Sequence, residues 1–130
     1  MKAKNKFRNR MSSTYRTYSN ERIENTCDNS TSVIDGKTDK IVANVDVGGG
    51  PLGEFVVVNP NTNMVYVTNF GSNTTSAIDG ITNKVVANIS VGSGPLDVDV
   101  NPNTDMVYVV NSYDNAISFI DGKSFKNLSP

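Results

Sequence analysis

The chain has 130 residues, a formal net charge of −1, no histidine, no tryptophan and one cysteine, Cys27. This length allows one ordinary domain with a buried core, since such a chain buries roughly two thirds of its unfolded surface on folding. The absence of histidine removes the commonest general base and the commonest transition-metal ligand, and a single cysteine excludes an internal disulfide.

The first predicted element is a basic segment, residues 1–22, which holds seven lysines and arginines and one glutamate, a net charge of +6. No apolar periodicity accompanies this charge, so we predict a disordered, solvated end rather than a nucleic-acid arm, a membrane tether or a transit peptide. No nucleic-acid partner is therefore expected. The segment lacks the apolar run of a secretory signal, and no run in the chain approaches the roughly 18 to 20 residues of a membrane span.

Residues 23–130 contain an internal repeat. Three segments have the same ending: NTCDNSTSVIDG (25–36), NFGSNTTSAIDG (69–80) and NSYDNAISFIDG (111–122). A second motif, NPNTNMVYVTN (59–69), returns as NPNTDMVYVVN (101–111). A period of 42 to 44 residues implies stacked supersecondary units. We divide the region into units of about 25–68, 69–110 and 111–130.

Each unit contains short runs rich in valine, isoleucine, tyrosine and threonine, separated by turn residues, which is the signature of strands. In the middle unit the predicted strands are 54–58, 64–68, 75–78 and 84–91. The separator at Asn59-Pro60 cannot continue a central strand, because proline lacks the ladder donor. Four antiparallel strands in about 42 residues form one blade of a β-propeller, with a β-solenoid or a plain sandwich as the alternative.

The run MVYV at 64–67 is apolar at every position, and MVYVV at 106–110 repeats it. A sheet with one wet face alternates apolar and polar residues, so these strands are predicted to be covered on both faces. Face-to-face packing of blades provides such cover. Tyr66 and Tyr108 stand at one repeat position, and we expect both to pack between blades with an outward hydroxyl.

The same residues resemble the YVTN repeat family, which is found in archaeal cell-surface and surface-layer proteins and in bacterial relatives. The resemblance covers residues 25–126 and rests on VYVTN (65–69), NKVVANISVG (83–92), GPLDVDVNPNT (94–104) and the S-x-I-D-G endings. It implies a β-propeller, commonly seven-bladed in relatives, and a cell-surface location. The departures are ERIEN at 21–25 in the place of VYVTN and a two-residue insertion near Gly53 and Glu54.

Counting strands in this frame gives ten, so the predicted fold is all-β, an incomplete β-propeller of about 2.5 four-stranded antiparallel blades after the disordered segment 1–22. The open blade faces, roughly 500 Å² each, are as large as an interaction site and would leave about 12 kcal/mol of burial unrealised per face. We therefore expect further blades, other protein partners or a homo-oligomer to cover them, and interpret the chain as part of a larger repeat protein.

The polar residues that recur are assigned to turns, among them Asp35, Asp79 and Asp121, because aspartate caps its own loop. Asp97 and Asp99 are different, since they stand at i and i+2 on a presumed inner strand and share one face. They are the candidates for a metal site in a central channel, with solvated side chains as the alternative. No catalytic residue and no cofactor is assigned. The sequence thus favours a non-enzymatic scaffold or binding module, with a lactonase-like or metal-dependent hydrolase completed by oligomerisation as the alternative.

Overall fold

The computed structural model describes residues 4–9, 12–16, 20–25, 29–35, 38–49 and 55–129. Within these ranges the chain forms thirteen β-strands and one short 3-10 helix at Phe70–Ser72. None of the described residues belongs to a helix long and apolar enough to cross a membrane. Cys27 and the insertion near Gly53 and Glu54 lie outside the described residues.

The strands form three antiparallel sheets in which every strand pairs with the next one in sequence. The first sheet contains β1 (Lys4–Asn9), β2 (Ser12–Arg16), β3 (Asn20–Asn25), β4 (Ser30–Asp35) and β5 (Ile41–Asp46). The middle sheet contains β6 (Val56–Asn59), β7 (Met64–Asn69), β8 (Thr74–Asp79) and β9 (Lys84–Ser90). The last sheet contains β10 (Pro95–Asn101), β11 (Met106–Asn111), β12 (Ala116–Asp121) and β13 (Lys126–Asn127).

The three sheets stack face to face in chain order. Strand β10 lies against β6 and β7 of the middle sheet, and β6 lies beside β2 of the first sheet. The outer strands follow the same order, since β9 neighbours both β5 and β13. Consecutive four-stranded sheets packed in this way are blades, so the prediction of an all-β, incomplete propeller is confirmed and all ten predicted strands are present.

The middle sheet is buried on both faces, as the continuous apolar pattern of its strands predicted. Successive residues of a strand point to opposite faces, and the two faces of the middle sheet accordingly enter two separate cores. Toward the first sheet, Val65 and Val67 of β7 pack with Val33 and Val45. Toward the last sheet, Tyr66 packs in a cluster with residues that include Val98, Val107, Val109 and Ile120.

The hairpins are closed by the turn residues that the repeat conserves within itself. Asn63 and Asp105 occupy the same turn of the middle and last sheets and have φ angles of 60° and 61°, a left-handed conformation that asparagine and aspartate tolerate. The turn role predicted for the recurring aspartates is confirmed, since Asp79 Oδ1 accepts a hydrogen bond from the Ile81 amide at 2.8 Å. Asp121 Oδ1 accepts one from the Lys123 amide at 2.9 Å, and this bond lowers the pKa of the Asp121 carboxyl.

The basic N-terminal segment, residues 1–22, for which the sequence predicts a disordered end, includes strands among its described residues. Residues 1–22 contain β1, β2 and the start of β3, and β2 pairs with β3 at the place where a blade has its first strand. The first sheet consequently has five strands, of which β2–β5 correspond to one blade. Ser12–Arg16 could be missed because strand pairing uses backbone groups and needs no apolar periodicity, while threonine and tyrosine supply strand propensity. The last sheet likewise gains a fourth strand, β13.

Candidate binding face of the last sheet

One face of the last sheet, turned away from the middle sheet, is exposed and largely apolar. We call it the outward face and define it by six residues of β10, β11 and β12: Asp97, Asp99, Tyr108, Val110, Ile117 and Phe119. The strand register sets them in two rows, because Tyr108 pairs with Asp99 on one side and Phe119 on the other, and Val110 pairs with Asp97 and Ile117.

The apolar members of the outward face retain a large part of their accessible surface. Tyr108 is 36% exposed, Phe119 39%, Val110 41% and Ile117 48%. The rings of Tyr108 and Phe119 are 5.8 Å apart and nearly perpendicular, an edge-to-face pair worth about 0.5–1.5 kcal/mol. A contiguous exposed apolar surface bordered by carboxylates is typical of a protein interaction site.

The repeat supplies a direct comparison for this face. In the middle sheet the corresponding row is Val57, Tyr66 and Ala77, which are paired in the same register. Tyr66 precedes Tyr108 by 42 residues and is 0% exposed, because the last sheet packs over it. The same position is therefore covered in one sheet and open in the next. Interblade packing is confirmed for Tyr66, whereas its hydroxyl is buried rather than outward.

The Tyr66 hydroxyl lies close to the turn of the last sheet. A Cβ atom at Gly122 would stand 2.9 Å from this oxygen, so glycine is what lets the two approach. Burial raises the pKa of Tyr66 to about 12, with smaller contributions from the Asp105 and Asp121 carboxylates. The hydroxyl thus stays protonated throughout the physiological range.

Polar contacts join the middle and last sheets through the repeated N-P-N turn. The Asn59 side chain makes two hydrogen bonds. Its Oδ1 accepts one from the Asn61 amide at 3.0 Å, and its Nδ2 donates one to Asp105 Oδ1 at 2.8 Å. Asn61 Nδ2 donates to the Pro102 carbonyl at 2.8 Å. The sequence identified this motif only as a turn, since nothing in one copy shows that its amide groups also hold the next sheet.

The copies of these asparagines in the last sheet are Asn101 and Asn103. Asn101 Oδ1 accepts from the Asn103 amide at 3.0 Å, so the turn itself is formed in the same way. Among the described residues, no acceptor lies within hydrogen-bonding distance of Asn101 Nδ2 or Asn103 Nδ2. The last sheet therefore repeats the two side-chain amide donors that hold it onto the middle sheet. They lie in the turn next to the outward face, and neither has an acceptor among the described residues.

Asp97 and Asp99 share one face, as their spacing predicted, and that face is the outward one. Both side chains are exposed, and each Oδ1 accepts a hydrogen bond of 2.8 Å from the amide of the next residue, Val98 or Val100. Phe55 and Val57 occupy the corresponding positions of the middle sheet. In the part of the chain that the structure describes, no three His, Cys, Asp or Glu side chains group closely enough to hold a metal ion. A cation site at this pair stays a prediction.

No protein-family model and no curated protein matches the chain. Among solved structures, hydrazine synthase from Kuenenia stuttgartiensis superposes with a TM-score of 0.78 at 28% identity, over 85% of this chain and 31% of that chain. Dihydro-heme d1 dehydrogenase NirN, in complex with DHE, gives 0.69 at 14% identity, over 86% and 25%. Apo AztD from Citrobacter koseri gives 0.67 at 18% identity, over 85% and 30%.

These neighbours are β-propeller proteins, which agrees with the stacking of the three sheets. The chain spans only a quarter to a third of the length of each of them. An incomplete propeller is the fold that both observations describe. The YVTN resemblance itself stays a prediction.

The buried Tyr66 hydroxyl predicts a dependence of stability on alkaline pH. Its pKa is raised from 10.0 to about 12 in the folded protein, so above pH 10 the unfolded chain loses this proton while the folded chain keeps it. The free energy of unfolding should consequently fall between about pH 10 and 12, and Tyr66→Phe should flatten this fall. Tyr108→Phe is the control and should keep the wild-type slope. Urea unfolding at several pH values measures both, and equal slopes for wild type and Tyr66→Phe would contradict the burial of this hydroxyl.

Proposed function

We propose that the chain is a non-enzymatic β-propeller scaffold or binding module that works joined to further blades, with the outward face of its last sheet as the docking surface. The observation that carries this proposal is the contrast between Tyr66 and Tyr108, which hold the same repeat position. One is covered by the next blade and the other is open. A further blade packed on Tyr108 would repeat an interface that the chain already contains.

The apolar part of the outward face supports docking energetically. Complete burial of one fully exposed large apolar side chain is worth about 1.5–3 kcal/mol. Four such side chains are 36% to 48% exposed here, so covering each of them would gain less than half of that value. In the existing interface, the side that covers Tyr66 presents Val98, Val107 and Val109. The partner of the outward face should likewise present β-branched residues from two adjacent strands.

The polar groups of the last sheet define the partner further. In the existing interface Asn59 Nδ2 donates to the Asp105 carboxylate. By analogy, Asn101 Nδ2 should donate to a carboxylate or amide oxygen in the first turn of the partner blade. Asp97 and Asp99 add a second requirement, because a carboxylate that loses its water without gaining a partner destabilises the interface by several kcal/mol. The partner should therefore bring a cation or hydrogen-bond donors opposite β10. A blade identical to the last sheet, packed in the same register, would have no cation or hydrogen-bond donor opposite β10.

The resemblance to YVTN repeats supports placing this module in a larger repeat protein of the cell-surface type. The proportion of the neighbours' length that the chain spans agrees with the need for more blades. Such blades can come from further repeats or from a second copy of the chain. In both cases we propose that the chain contributes a structural surface and no catalytic group.

The pair of exposed carboxylates favours one alternative, a lactonase-like or metal-dependent hydrolase propeller completed by oligomerisation. Asp97 and Asp99 lie side by side on one strand face, and oxygen ligands of this kind suit Ca²⁺. In this alternative the two carboxylates would bind the ion at the axis of the completed ring. The further ligands would come from other blades.

A metal titration distinguishes the two candidates. If the scaffold proposal holds, isothermal titration of the folded chain with Ca²⁺ or Zn²⁺ should give no saturable heat, because two exposed carboxylates make an incomplete ligand set. The Asp97→Asn/Asp99→Asn variant is the control and should give the same trace. A saturable heat in the wild type that this variant loses would favour the hydrolase.

Light scattering coupled to size exclusion tests the docking surface. The full chain should have a mass above 14.0 kDa that increases with concentration, because an apolar face that lacks its partner blade associates with other copies. Tyr108→Ser/Phe119→Ser should shift the population toward monomer by roughly tenfold in dissociation constant. Ile81→Ser is the matched control, since Ile81 is 79% exposed in a turn away from this face and should leave the mass unchanged.

A folded, monodisperse wild-type monomer of 14.0 kDa would contradict the docking proposal. So would an Ile81→Ser variant that dissociates as readily as the Tyr108→Ser/Phe119→Ser variant. Circular dichroism of each variant confirms that the strands persist, so that a loss of association is not a loss of folding.

A further inference from the structure

Two hairpins and one connection between sheets meet at one end of the stacked sheets: residues 70–73, 112–115 and 91–94. Gly94 in the connection is held from both sides, since its amide donates to Asn73 Oδ1 at 3.0 Å and its carbonyl accepts from the Ser112 amide at 2.8 Å. Its φ angle is 66°, a conformation that glycine adopts without strain. The connection is therefore fixed before a ligand arrives, which lowers the entropic cost of binding there.

Tyr113 stands on this fixed connection and presents its ring to solvent. Its amide donates to the Ser93 carbonyl at 3.2 Å, and its side chain is 71% exposed. A Cβ atom at Gly94 would lie 3.1 Å from the ring, so the ring packs close to the backbone of the connection. The Phe70 ring of the middle sheet meets the Tyr113 ring edge to face, with the centroids 5.3 Å apart. The two rings form one aromatic surface across the boundary between two sheets.

The exposure of Tyr113 belongs to its position in the repeat unit. Gly71 occupies this position in the middle sheet, 42 residues earlier, and is exposed even though the last sheet packs beside it. Tyr108 on the outward face differs, because its counterpart Tyr66 is fully buried. The position of Tyr113 thus lies outside the contact between neighbouring sheets.

A carboxylate follows Tyr113 in the chain. Asp114 is exposed, and its Oδ2 accepts a hydrogen bond from the Ser93 amide at 2.6 Å. Among the described residues, none donates to its other oxygen, Oδ1. The connection therefore holds both the tyrosine backbone and the carboxylate, and one oxygen of the carboxylate is available to a ligand.

The basic side chains of the middle and last sheets lie at the other end. Residues 55–129 contain no arginine and three lysines, Lys84, Lys123 and Lys126, which stand in the hairpins between third and outer strands or at the start of the outer strands. Successive hairpins of an antiparallel sheet alternate between its two ends, so these lysines lie opposite the hairpin that carries Tyr113. In these two sheets the aromatic rings are accompanied by an acidic group and by no basic one.

We propose that Phe70, Tyr113 and Asp114, which we call the aromatic site, bind an arginine side chain of a peptide or protein partner. A guanidinium group stacks on an aromatic ring and donates in its own plane to a carboxylate, so one group satisfies both parts of the site. The exposed Tyr113 ring supplies the stacking surface, and Asp114 Oδ1 supplies the acceptor. The aromatic site lies at an end of the sheets, so it is independent of the docking of a further blade on the outward face.

The test uses the full chain, labelled with ¹⁵N, and two tripeptides blocked at both ends, Gly-Arg-Gly and Gly-citrulline-Gly. Citrulline has nearly the shape of arginine and carries no charge. The arginine peptide should shift the amide signals of Tyr113 and Asp114 in a saturable way at millimolar concentration. It should bind about fivefold more tightly than the citrulline peptide, as an exposed cation–π contact predicts.

Variants of the aromatic site separate the ring from the charge. Tyr113→Leu should reduce the preference for arginine to about twofold, the value of a solvent-exposed ion pair, whereas Tyr113→Phe should keep it. Asp114→Asn retains an oxygen for the Ser93 amide and should also lower the preference, because the negative charge is lost. Tyr108→Leu removes a tyrosine of the outward face and is the matched control, which should keep the fivefold preference.

Three results would overturn the proposal. The first is the absence of a saturable shift at Tyr113 and Asp114, and the second is equal binding of the two peptides to the wild type, a comparison that needs no variant. The third is a full fivefold preference in Tyr113→Leu, which would show that charge alone attracts the peptide. A monomer in light scattering would contradict docking on the outward face and leave the aromatic site unaffected.

Discussion

The structure depends on the packing of one sheet's face against the next. Strands such as MVYV are apolar at every position, so each sheet has two faces that must leave water, and one neighbour covers only one of them. The middle sheet has a neighbour on each side and contains most of the fully buried side chains of the described residues, including Val65, Tyr66 and Val67. Among the described residues the last sheet has the same construction with one neighbour, and the residues of its other face are exposed.

Because the sheets are repeats of one unit, residues of the last sheet can be compared with their counterparts in the middle sheet. Each position of the last sheet has a counterpart 42 residues earlier whose surroundings are complete, so differences in burial and hydrogen bonding between the copies show what a complete unit requires. Tyr108 differs from Tyr66 in exposure, and Asn101 differs from Asn59 because its Nδ2 has no acceptor among the described residues. These two differences fall at the face and at the first turn of one sheet.

The sequence predicted the strands, their turns and the burial of both faces, because these depend on local composition and on the period of the repeat. It did not predict β1 and β2, whose strand pairing uses backbone groups in a segment without apolar periodicity. It predicted correctly that Asp97 and Asp99 share one face of their strand. Their position opposite Val110 and Tyr108 could not be predicted, because it depends on the strand register. The second role of Asn59 was also hidden, since its contact with Asp105 joins residues 46 positions apart.

We propose that the outward face of the last sheet is the interface for a further blade. Hydroxyl-radical labelling of the full chain at increasing protein concentration tests it residue by residue, with mass spectrometry as the readout. We predict that labelling of Tyr108 and Phe119 falls as copies associate, while Tyr66 stays protected and Tyr113, which is 71% exposed in a turn, stays reactive throughout. Labelling of Tyr108 that equals that of Tyr113 at every concentration would contradict the claim.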